Sequence, residues 1–248
     1  MKVVFSERFL EVYTTDPAAE AGRLEAVLDV IGPHVELIDC QPCDPSDLEV
    51  VHTKRHIESV KEEGLFDIAS LAAGGAIKTA EIGLNEPCFG LIRPPGHHAS
   101  KDGYWGFCYF NNMAVAVRYL MKTQKLNHFF ILDFDLHYGD GTVNIFAGNP
   151  NVKILNPSGR DRKEYLSQIS NSLKDLQVEM ICVSAGFDNH QKDWGGLLFT
   201  EDYYEIGTML HQKAKSLNIG CFALLEGGYN HHVLGHNVLA FLKGFNGL

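Results

Sequence analysis

The stretch that decides the fold reads His128-Phe129-Phe130-Ile131-Leu132-Asp133-Phe134-Asp135-Leu136-His137-Tyr138-Gly139-Asp140-Gly141. It begins as an apolar run and ends as a group of acids and imidazoles. Alternate side chains of an extended strand share one face, so Asp133, Asp135 and His137 are expected to project together. Phe134 and Leu136 would then pack on the opposite side. Because buried carboxylates need a compensating charge, the pattern predicts a divalent cation at the carboxyl end of this strand.

Three further apolar runs also end in polar residues. They are 88–92 before Arg93-Pro94-Pro95-Gly96-His97-His98, 180–183 before Ser184-Ala185-Gly186-Phe187-Asp188, and 221–225 before Glu226-Gly227-Gly228-Tyr229. Helical patterns at 112–124, 163–176 and 200–217 separate the runs. This alternation predicts an α/β fold, a single-domain three-layer α/β/α arrangement over residues 1–248 with a mostly parallel central sheet. Ligands of such sheets bind beyond the carboxyl ends of the strands, where all four runs place polar residues.

The amino-terminal part of the chain carries weaker patterns. Residues 1–6 are predicted to form an edge strand, and their apolar part is too short for a signal peptide. Three helices should follow, from an N-cap at Asp16 to Ile31, from an N-cap at Thr53 to Gly64, and across 66–84. The third helix contains Gly74-Gly75, a pair that a helix tolerates where another backbone packs closely against it.

The bulk composition excludes several classes of protein. A formal net charge of −10 in 248 residues argues against non-specific nucleic-acid binding and favours a cationic substrate or a basic protein tail. No apolar run approaches the roughly 20 residues of a membrane span. Six cysteines include one close pair, Cys40 and Cys43, with no second pair to complete a zinc knuckle. We therefore expect reduced thiols in a cytoplasmic protein.

Three of the polar residues form a plausible metal-binding set. Asp135, His137 and Asp188 would supply one imidazole and two carboxylates and leave a fourth position open for water, as catalytic zinc sites do. Each residue alone is more readily explained by helix capping or packing. The row of Asp133, Asp135 and His137, taken together with Asp188 at the end of another strand, favours the metal. His190 follows Asp188 closely and would support the site from behind.

Two histidines and a tyrosine are candidate catalytic groups. His97 and His98 follow a rigid Pro-Pro-Gly turn and could be a general base and its neighbour, each tuned by a carboxylate. Asp133 and Asp140 remain as partners, and a ligand or capping role is the alternative. Tyr229 follows two glycines, and its phenol could donate to a developing oxyanion, although packing is the commoner role of such a tyrosine. The carboxy-terminal histidines are expected at the surface or at a helix cap: His231, His232 and His236.

Together these motifs resemble the zinc-dependent histone deacetylase family of the arginase/deacetylase superfamily. The matching segments are Arg93 to Ala99, Gly106-Phe107-Cys108-Tyr109-Phe110-Asn111-Asn112, Asp133 to Gly141, Ser184 to Asp188 and Glu226 to Tyr229. The Pro-Pro-Gly before the histidine pair and the Glu before Gly-Gly-Tyr are similar to class II and to bacterial or archaeal members. The resemblance is ordered along the chain and spans about residue 50 to the end.

The resemblance implies a zinc-dependent amidohydrolase that removes acyl groups from amines such as acetyl-lysine or an acetylpolyamine. By this resemblance, Asp135, His137 and Asp188 would bind the zinc. His98, with Asp140 behind it, would be the general base and acid, and His97, with Asp133 behind it, would give electrostatic support. Tyr229 would polarise the amide carbonyl, Gly106 would accept the substrate amide hydrogen bond, and Phe107 would line the acyl channel. A potassium ion near the backbone of 133–137 is also implied.

Two alternatives stay open at this stage. A binuclear manganese ureohydrolase of the same superfamily would want a second carboxylate two residues after Asp188, where this chain has His190. A module that binds acyl amines without catalysis would not need Tyr229 or the two histidines at 97 and 98. Both alternatives are therefore disfavoured by the residues present.

The chain departs from its relatives at two loops. Segments 57–66 and 156–163 take short routes where relatives carry a long rim loop and the second aromatic wall of the channel. Asp135 and Asp188 are accordingly only 53 positions apart. Short loops on the side where strands end predict an open, shallow site. The other reading is a homo-oligomer in which a second copy of the chain rebuilds the missing wall.

Overall fold

The computed structural model describes residues 1–248, and its core is one seven-stranded sheet. The strands are β1 Lys2–Val4, β2 Glu36–Ile38, β3 Cys88–Gly90, β4 Phe129–Asp133, β5 Val152–Leu155, β6 Met180–Ala185 and β7 Gly220–Leu225. Their order across the sheet is β2-β1-β3-β7-β6-β4-β5, and every neighbouring pair is parallel. The prediction of a mostly parallel sheet is confirmed, and the sheet is parallel throughout.

Nine α-helices cover the sheet: α1 Arg23–Ile31, α2 Pro45–Glu49, α3 Lys54–Glu62, α4 Phe66–Gly83, α5 Asn112–Thr123, α6 Asp140–Phe146, α7 Arg162–Leu173, α8 Thr200–Leu217 and α9 His231–Phe245. One group packs through α8 on α9 and α9 on α1, and another through α4 on α5. All six residues of β6 are buried, and successive side chains point to opposite faces, so both faces of the sheet are covered. None of the helices is long and apolar enough to cross a membrane.

The predicted edge strand at the amino terminus is wrong in one respect. The strand exists, but β1 pairs with β2 on one side and with β3 on the other, so it lies inside the sheet. The edges are β2 and β5, which the apolar runs did not indicate. These strands have three and four residues, and exposed side chains such as Leu37 and Lys153 interrupt their apolar character.

The predicted helix from Asp16 to Ile31 is divided in two. Asp16 caps a single 3-10 turn by accepting a hydrogen bond from the backbone of Ala19 at 3.0 Å, and the chain then leaves the helical path. Gly22 adopts φ +86°, a left-handed conformation that suits glycine, and α1 begins only after it. Two further short helices, α2 and α6, escaped the sequence patterns because each is shorter than two turns.

The other amino-terminal predictions agree with the structure. Thr53 caps α3 by accepting from the backbone of His56 at 3.2 Å, and α4 covers most of the predicted 66–84 segment. A side chain at Gly74 would overlap the carbonyl oxygen of Gln41, so the glycine pair in α4 does permit a close backbone approach. Only three residues, 63–65, connect α3 to α4, which confirms the short route at this rim position.

A buried histidine fixes the segment that leads from β3 towards α5. His52 Nδ1 lies 2.9 Å from the carbonyl oxygen of Ser100, and His52 Nε2 accepts from the backbone N–H of Asn111 at 3.0 Å. A ring nitrogen that accepts from a backbone N–H carries no proton, so His52 is neutral. The ring also stacks on His56 with centroids 4.7 Å apart. Burial and the neighbouring His56 lower the pKa of His52 to about 3.

This arrangement predicts a pH-dependent stability. The pKa of an unfolded histidine is about 6.5, so between pH 7 and pH 5 the unfolded chain gains a proton at His52 that the folded protein does not. His52 should therefore lower the free energy of unfolding by about 2 kcal/mol over that interval, with the loss beginning as pH falls through 6.5. Urea denaturation of the parent and of His52→Gln at both pH values measures the difference.

The exposed His34 supplies the matched control, because His34→Gln should leave the pH dependence as in the parent. If His52→Gln loses as much stability between pH 7 and pH 5 as the parent does, His52 is not the neutral group described here.

Candidate active site

Four adjacent strands bring the candidate residues together. The strands β3, β7, β6 and β4 are neighbours in that order. The histidine pair follows β3, and the acid-rich segment 133–140 begins at the last residue of β4. Asp188 follows β6, and Tyr229 follows β7. Because the carboxyl ends of parallel strands meet at one edge, these side chains form one cluster, as the sequence predicts.

Three side chains converge within this cluster. His137 Nδ1 lies 3.3 Å from Asp135 Oδ1 and 3.2 Å from Asp188 Oδ2. The backbone orients both carboxylates, since Asp135 Oδ2 accepts from the N–H of Gly227 at 2.8 Å and Asp188 Oδ1 accepts from the N–H of Leu136 at 3.0 Å. Asp188 Oδ2 is buried and accepts no hydrogen bond. An unsatisfied buried carboxylate oxygen is costly, and here it faces the other two side chains.

This donor set fits a divalent cation. Donors about 2.0–2.2 Å from a tetrahedral ion lie roughly 3.3–3.6 Å from one another, close to the two separations at His137. Burial, together with repulsion from the negative charge of Asp135, raises the pKa of Asp188 to about 6. A cation would remove that repulsion and satisfy the orphaned oxygen. The atoms of this trio all lie within 4.8 Å of one another.

His97 is buried in an acidic environment. Its Nδ1 lies 3.0 Å from Asp133 Oδ2, and its Nε2 lies 3.8 Å from Asp135 Oδ1. Asp133 is itself buried, and its other oxygen accepts from the backbone N–H of Asp135 at 3.2 Å. Burial alone would lower the pKa of His97, but the two carboxylates outweigh it and hold the pKa well above the ordinary value. His97 is therefore expected to be positively charged when no cation is bound.

His98 has the opposite character. Its Nδ1 lies 2.7 Å from Asp140 Oδ1, a carboxylate whose side chain is 43% exposed. Burial and the neighbouring His97 lower the pKa of His98 to about 4, although the hydrogen bond to Asp140 opposes them. The ring lies between His97, 4.0 Å away between centroids, and Trp105, 3.7 Å away. Two imidazoles adjacent in the sequence thus differ in charge.

Gly106 and Phe107 lie against this pair in an unusual backbone conformation. Both residues have positive φ, +59° and +66°. A side chain at Gly106 would overlap His98 Cδ2, so glycine is required for the backbone to approach the imidazole. The left-handed Phe107 costs on the order of 1–3 kcal/mol and places its ring 6.1 Å from that of Tyr229.

Tyr229 is held by residues that the sequence did not single out. Arg23 is fully buried and donates to the carbonyl oxygens of Gly228 at 2.8 Å and Glu226 at 2.6 Å, and its guanidinium carbon lies 5.2 Å from the Tyr229 ring centre. The indole of Trp194 stacks on the Tyr229 ring, with the two centroids 4.0 Å apart. Burial and the charge of nearby carboxylates raise the pKa of Tyr229, so its hydroxyl keeps its proton. An arginine in an amphipathic helix is ordinarily a surface residue, which hides this role from sequence patterns.

Glu226 forms a buried clamp rather than a second metal site. Its Oε2 accepts from the backbone N–H groups of Gly96 at 2.7 Å and His97 at 3.2 Å, and its Oε1 accepts from the hydroxyl of Ser184 at 3.0 Å. Glu226 lies within metal-binding reach of His97 and Cys108. Both Glu226 oxygens are already satisfied, however, so this trio needs no cation. Its geometry fastens the histidine loop to β6 and β7.

The remaining histidines lie outside the cluster. His190 Nδ1 accepts from the backbone of Lys192 at 3.2 Å and does not join the Asp188 group. At the start of α9 the cap is Asn230, which accepts from the backbone of His232, so none of the three carboxy-terminal histidines is the cap residue. His232 and His236 are exposed, in agreement with the expected surface position. His231 instead lies 3.4 Å from Glu20.

Comparisons with known proteins relate the chain to one family and one fold. The histone deacetylase domain model matches residues 18–157 and 154–245. A probable deacetylase of Methanothermobacter thermautotrophicus is 30% identical, over 92% of this chain and 85% of that protein. The polyamine deacetylase HDAC10 of Danio rerio is 26% identical over 90% of this chain, which spans 39% of that longer protein. The crystal structure of the HDA15 HD domain superposes with a TM-score of 0.84 at 23% identity, covering 99% of this chain and 89% of that one.

The fold and the sequence similarity place the chain among the hydrolases of deacetylase type. It belongs to the histone deacetylase family, as the domain match and the archaeal relative both show. The resemblance noted in the sequence motifs is thereby confirmed, and so is the arginase/deacetylase-like fold.

The donor geometry predicts where a metal binds. Asp188→Ala should abolish binding of one divalent ion per chain, because two remaining ligands hold such an ion poorly. Elemental analysis after dialysis against limiting zinc measures the stoichiometry. The matched control is Glu226→Gln, which alters the other buried trio and should keep the metal. Full metal content in Asp188→Ala, or its loss only in Glu226→Gln, would contradict the assignment.

Proposed function

We propose that the protein is a zinc-dependent deacetylase that hydrolyses N-acyl amides such as acetyl-lysine or an acetylpolyamine. The observation that carries the proposal is the three-donor group of Asp135, His137 and Asp188 beside two imidazoles, one favoured as a cation and the other as a neutral ring. The name of the Danio rerio relative supports acylated amines as substrates. We also propose that residues 1–248 act as one catalytic domain, since a single hydrophobic core extends from Val3 to Phe245.

The proposed metal ligands are Asp135, His137 and Asp188, with a fourth position open to the substrate. Zinc bound there would polarise an amide carbonyl and lower the pKa of a water molecule. The potassium ion implied by the resemblance would lie against the backbone of 133–137.

His98 is the proposed general base. Its Nδ1–H donates to Asp140, which leaves Nε2 without a proton and able to accept one from water. A neutral imidazole is required for that step, and burial keeps His98 neutral. The same nitrogen would then return the proton to the departing amine. His97, whose Nδ1 lies 3.0 Å from Asp133 Oδ2, would stabilise negative charge that develops on the substrate.

Tyr229 is the proposed oxyanion donor. Its hydroxyl remains protonated, and a phenol held rigidly beside the reacting carbonyl stabilises the charge that appears only in the transition state. Arg23 and Trp194 fix its ring and backbone, so little reorganisation is needed. The carbonyl of Gly106 is proposed to accept the substrate amide hydrogen bond, and Phe107 to line the acyl group.

Removing the phenolic hydroxyl tests this role. Tyr229→Phe should reduce kcat by roughly a hundredfold or more, the cost of losing one oxyanion donor, and should leave the metal content unchanged. Steady-state kinetics on acetyl-lysine and acetylpolyamine substrates give the ratio. Tyr204→Phe, an exposed tyrosine on α8, is the control and should match the parent. Activity of Tyr229→Phe within a few-fold of the parent on every substrate would make the tyrosine structural.

We propose that the rim of the site is low, which bears on substrate choice. Links of only a few residues replace longer loops at 63–65 and 156–161. His137 is 38% exposed, a large fraction for a proposed metal ligand. Trp194 is 52% exposed and lies 6.1 Å from the His137 ring, so it is the proposed replacement for the missing aromatic wall. We propose an open site that contacts the acyl amine and little of any flanking peptide.

Kinetics with matched substrates test the open site. The value of kcat/KM should vary by less than about fivefold among acetyl-lysine peptides with different flanking residues, and bulky acyl groups should be accepted. A small hydroxamate should retain much of the affinity of a capped one, because few rim contacts exist to lose. The measurements belong at a concentration where the protein is monomeric. A strong dependence on flanking sequence, together with rejection of bulky acyl groups, would contradict the proposal.

A further inference from the structure

Both tryptophans of the chain, Trp105 and Trp194, lie at the site. Trp105 contacts both the proposed proton carrier, His98, and the carboxylate of Asp140 behind it. The Trp105 indole Nε1–H donates to Asp140 Oδ2 at 2.9 Å and lies 3.2 Å from Asp140 Oδ1. The face of the same indole stacks on His98, with centroids 3.7 Å apart and planes inclined by 29°. A single side chain therefore contacts the imidazole and the carboxylate behind it.

The partner of the other histidine shows what this contact supplies. Asp133 is buried, one of its oxygens accepts the backbone N–H of Asp135, and the other faces His97. Burial and the backbone thus fix that carboxylate in one orientation. Asp140 is the first residue of α6, and its side chain is 43% exposed. Without a second donor it could turn towards water and leave His98 Nδ1 without its acceptor.

We propose that Trp105 is a positioning residue for proton transfer, which holds Asp140 in the orientation that accepts His98 Nδ1–H and covers the exposed side of that pair. This inference rests on the proposed function, because it concerns the general base of the deacetylation. The imidazole of His98 and the indole of Trp105 both contact the carboxylate of Asp140. The indole N–H therefore restricts rotation of that carboxylate, while His98 Nδ1 keeps the shorter bond, 2.7 Å to Asp140 Oδ1.

The backbone around Trp105 is built to hold this position. The next two residues, Gly106 and Phe107, have positive φ, and the carbonyl of Trp105 accepts from the N–H of Cys108 at 3.1 Å in a tight turn. The turn directs the indole over His98 while about half of its surface remains exposed. A large apolar side chain kept half in solvent beside a reaction centre is consistent with a specific role at that centre.

The experiment separates the indole N–H from the stacking face. Trp105→Phe keeps an aromatic face over His98 and removes the donor, so kcat should fall about tenfold, the effect of one hydrogen bond to a charged group, with KM within about threefold. In an Asp140→Asn background the same change should have no further effect on kcat. Trp194→Phe, whose indole stacks on Tyr229 and not on His98, is the matched control, and its effect should be the same in both backgrounds.

A second measurement does not depend on turnover. In the nitrogen-15 spectrum of the whole protein, two indole N–H resonances are expected, and Trp194→Phe assigns them. The Trp105 resonance should exchange slowly with solvent and shift in Asp140→Asn, while the Trp194 resonance should not. Thermal melting confirms that Trp105→Phe is folded.

The outcomes are distinct. An unchanged kcat in Trp105→Phe, an equal loss in the Asp140→Asn background, or an indole resonance insensitive to Asp140→Asn overturns the positioning role and leaves the proposed function in place. Absence of hydrolysis by the zinc-loaded parent on every acylated amine overturns the proposed function, and the positioning role with it.

Discussion

The constraint on which the structure depends is the burial of four carboxylates at one edge of a parallel sheet. Asp133, Asp135, Asp188 and Glu226 are each at most 5% exposed. Buried charges of one sign repel one another and lose their hydration, so each needs donors or a positive partner. Asp133 has His97, Glu226 has three hydrogen-bond donors, and Asp135 has backbone N–H groups. Asp188 Oδ2 accepts no well-formed hydrogen bond and faces His137 Nδ1 at 3.2 Å, so a cation between these groups would compensate its buried charge.

The glycines of the motifs follow from the same constraint. A side chain at Gly186 would overlap the Asp135 carboxylate, and one at Gly227 would lie 2.6 Å from Asp135 Oδ2 and 2.8 Å from Asp188 Oδ2. Only a bare backbone lets the chain after β6 and β7 approach the acids this closely, and after β7 the N–H of Gly227 donates to Asp135 Oδ2 at 2.8 Å. The pattern of glycine beside acid in this chain is therefore a requirement of carboxylate solvation as much as of turn geometry.

The sequence was informative where apolar length and chemistry coincide. The four long buried runs predicted the central strands, and the polar residues after them predicted where the site lies, because parallel strands end at a common edge. Two short strands and the break at Gly22 were not predicted, since three or four residues carry too little periodicity. Arg23, Glu226 and Trp105 were assigned no role for another reason. Each acts through contacts with residues more than 30 positions away, which no local pattern reports.

The histidine pair shows how environment separates two chemically identical groups. His97 and His98 share a turn and their ring centroids lie 4.0 Å apart, yet the carboxylate behind His97 is buried and the one behind His98 is half-exposed. A buried carboxylate attracts an imidazolium strongly because little water screens it, whereas water weakens the attraction at Asp140. Burial of His98 lowers its pKa, and the charge on His97 4.0 Å away lowers it further, so His98 is favoured as a neutral ring that is able to accept a proton. In the proposed mechanism the depth of the two acids sets the different roles of the two histidines. A residue that orders the shallower acid, as we propose for Trp105, would then act on the proposed proton carrier.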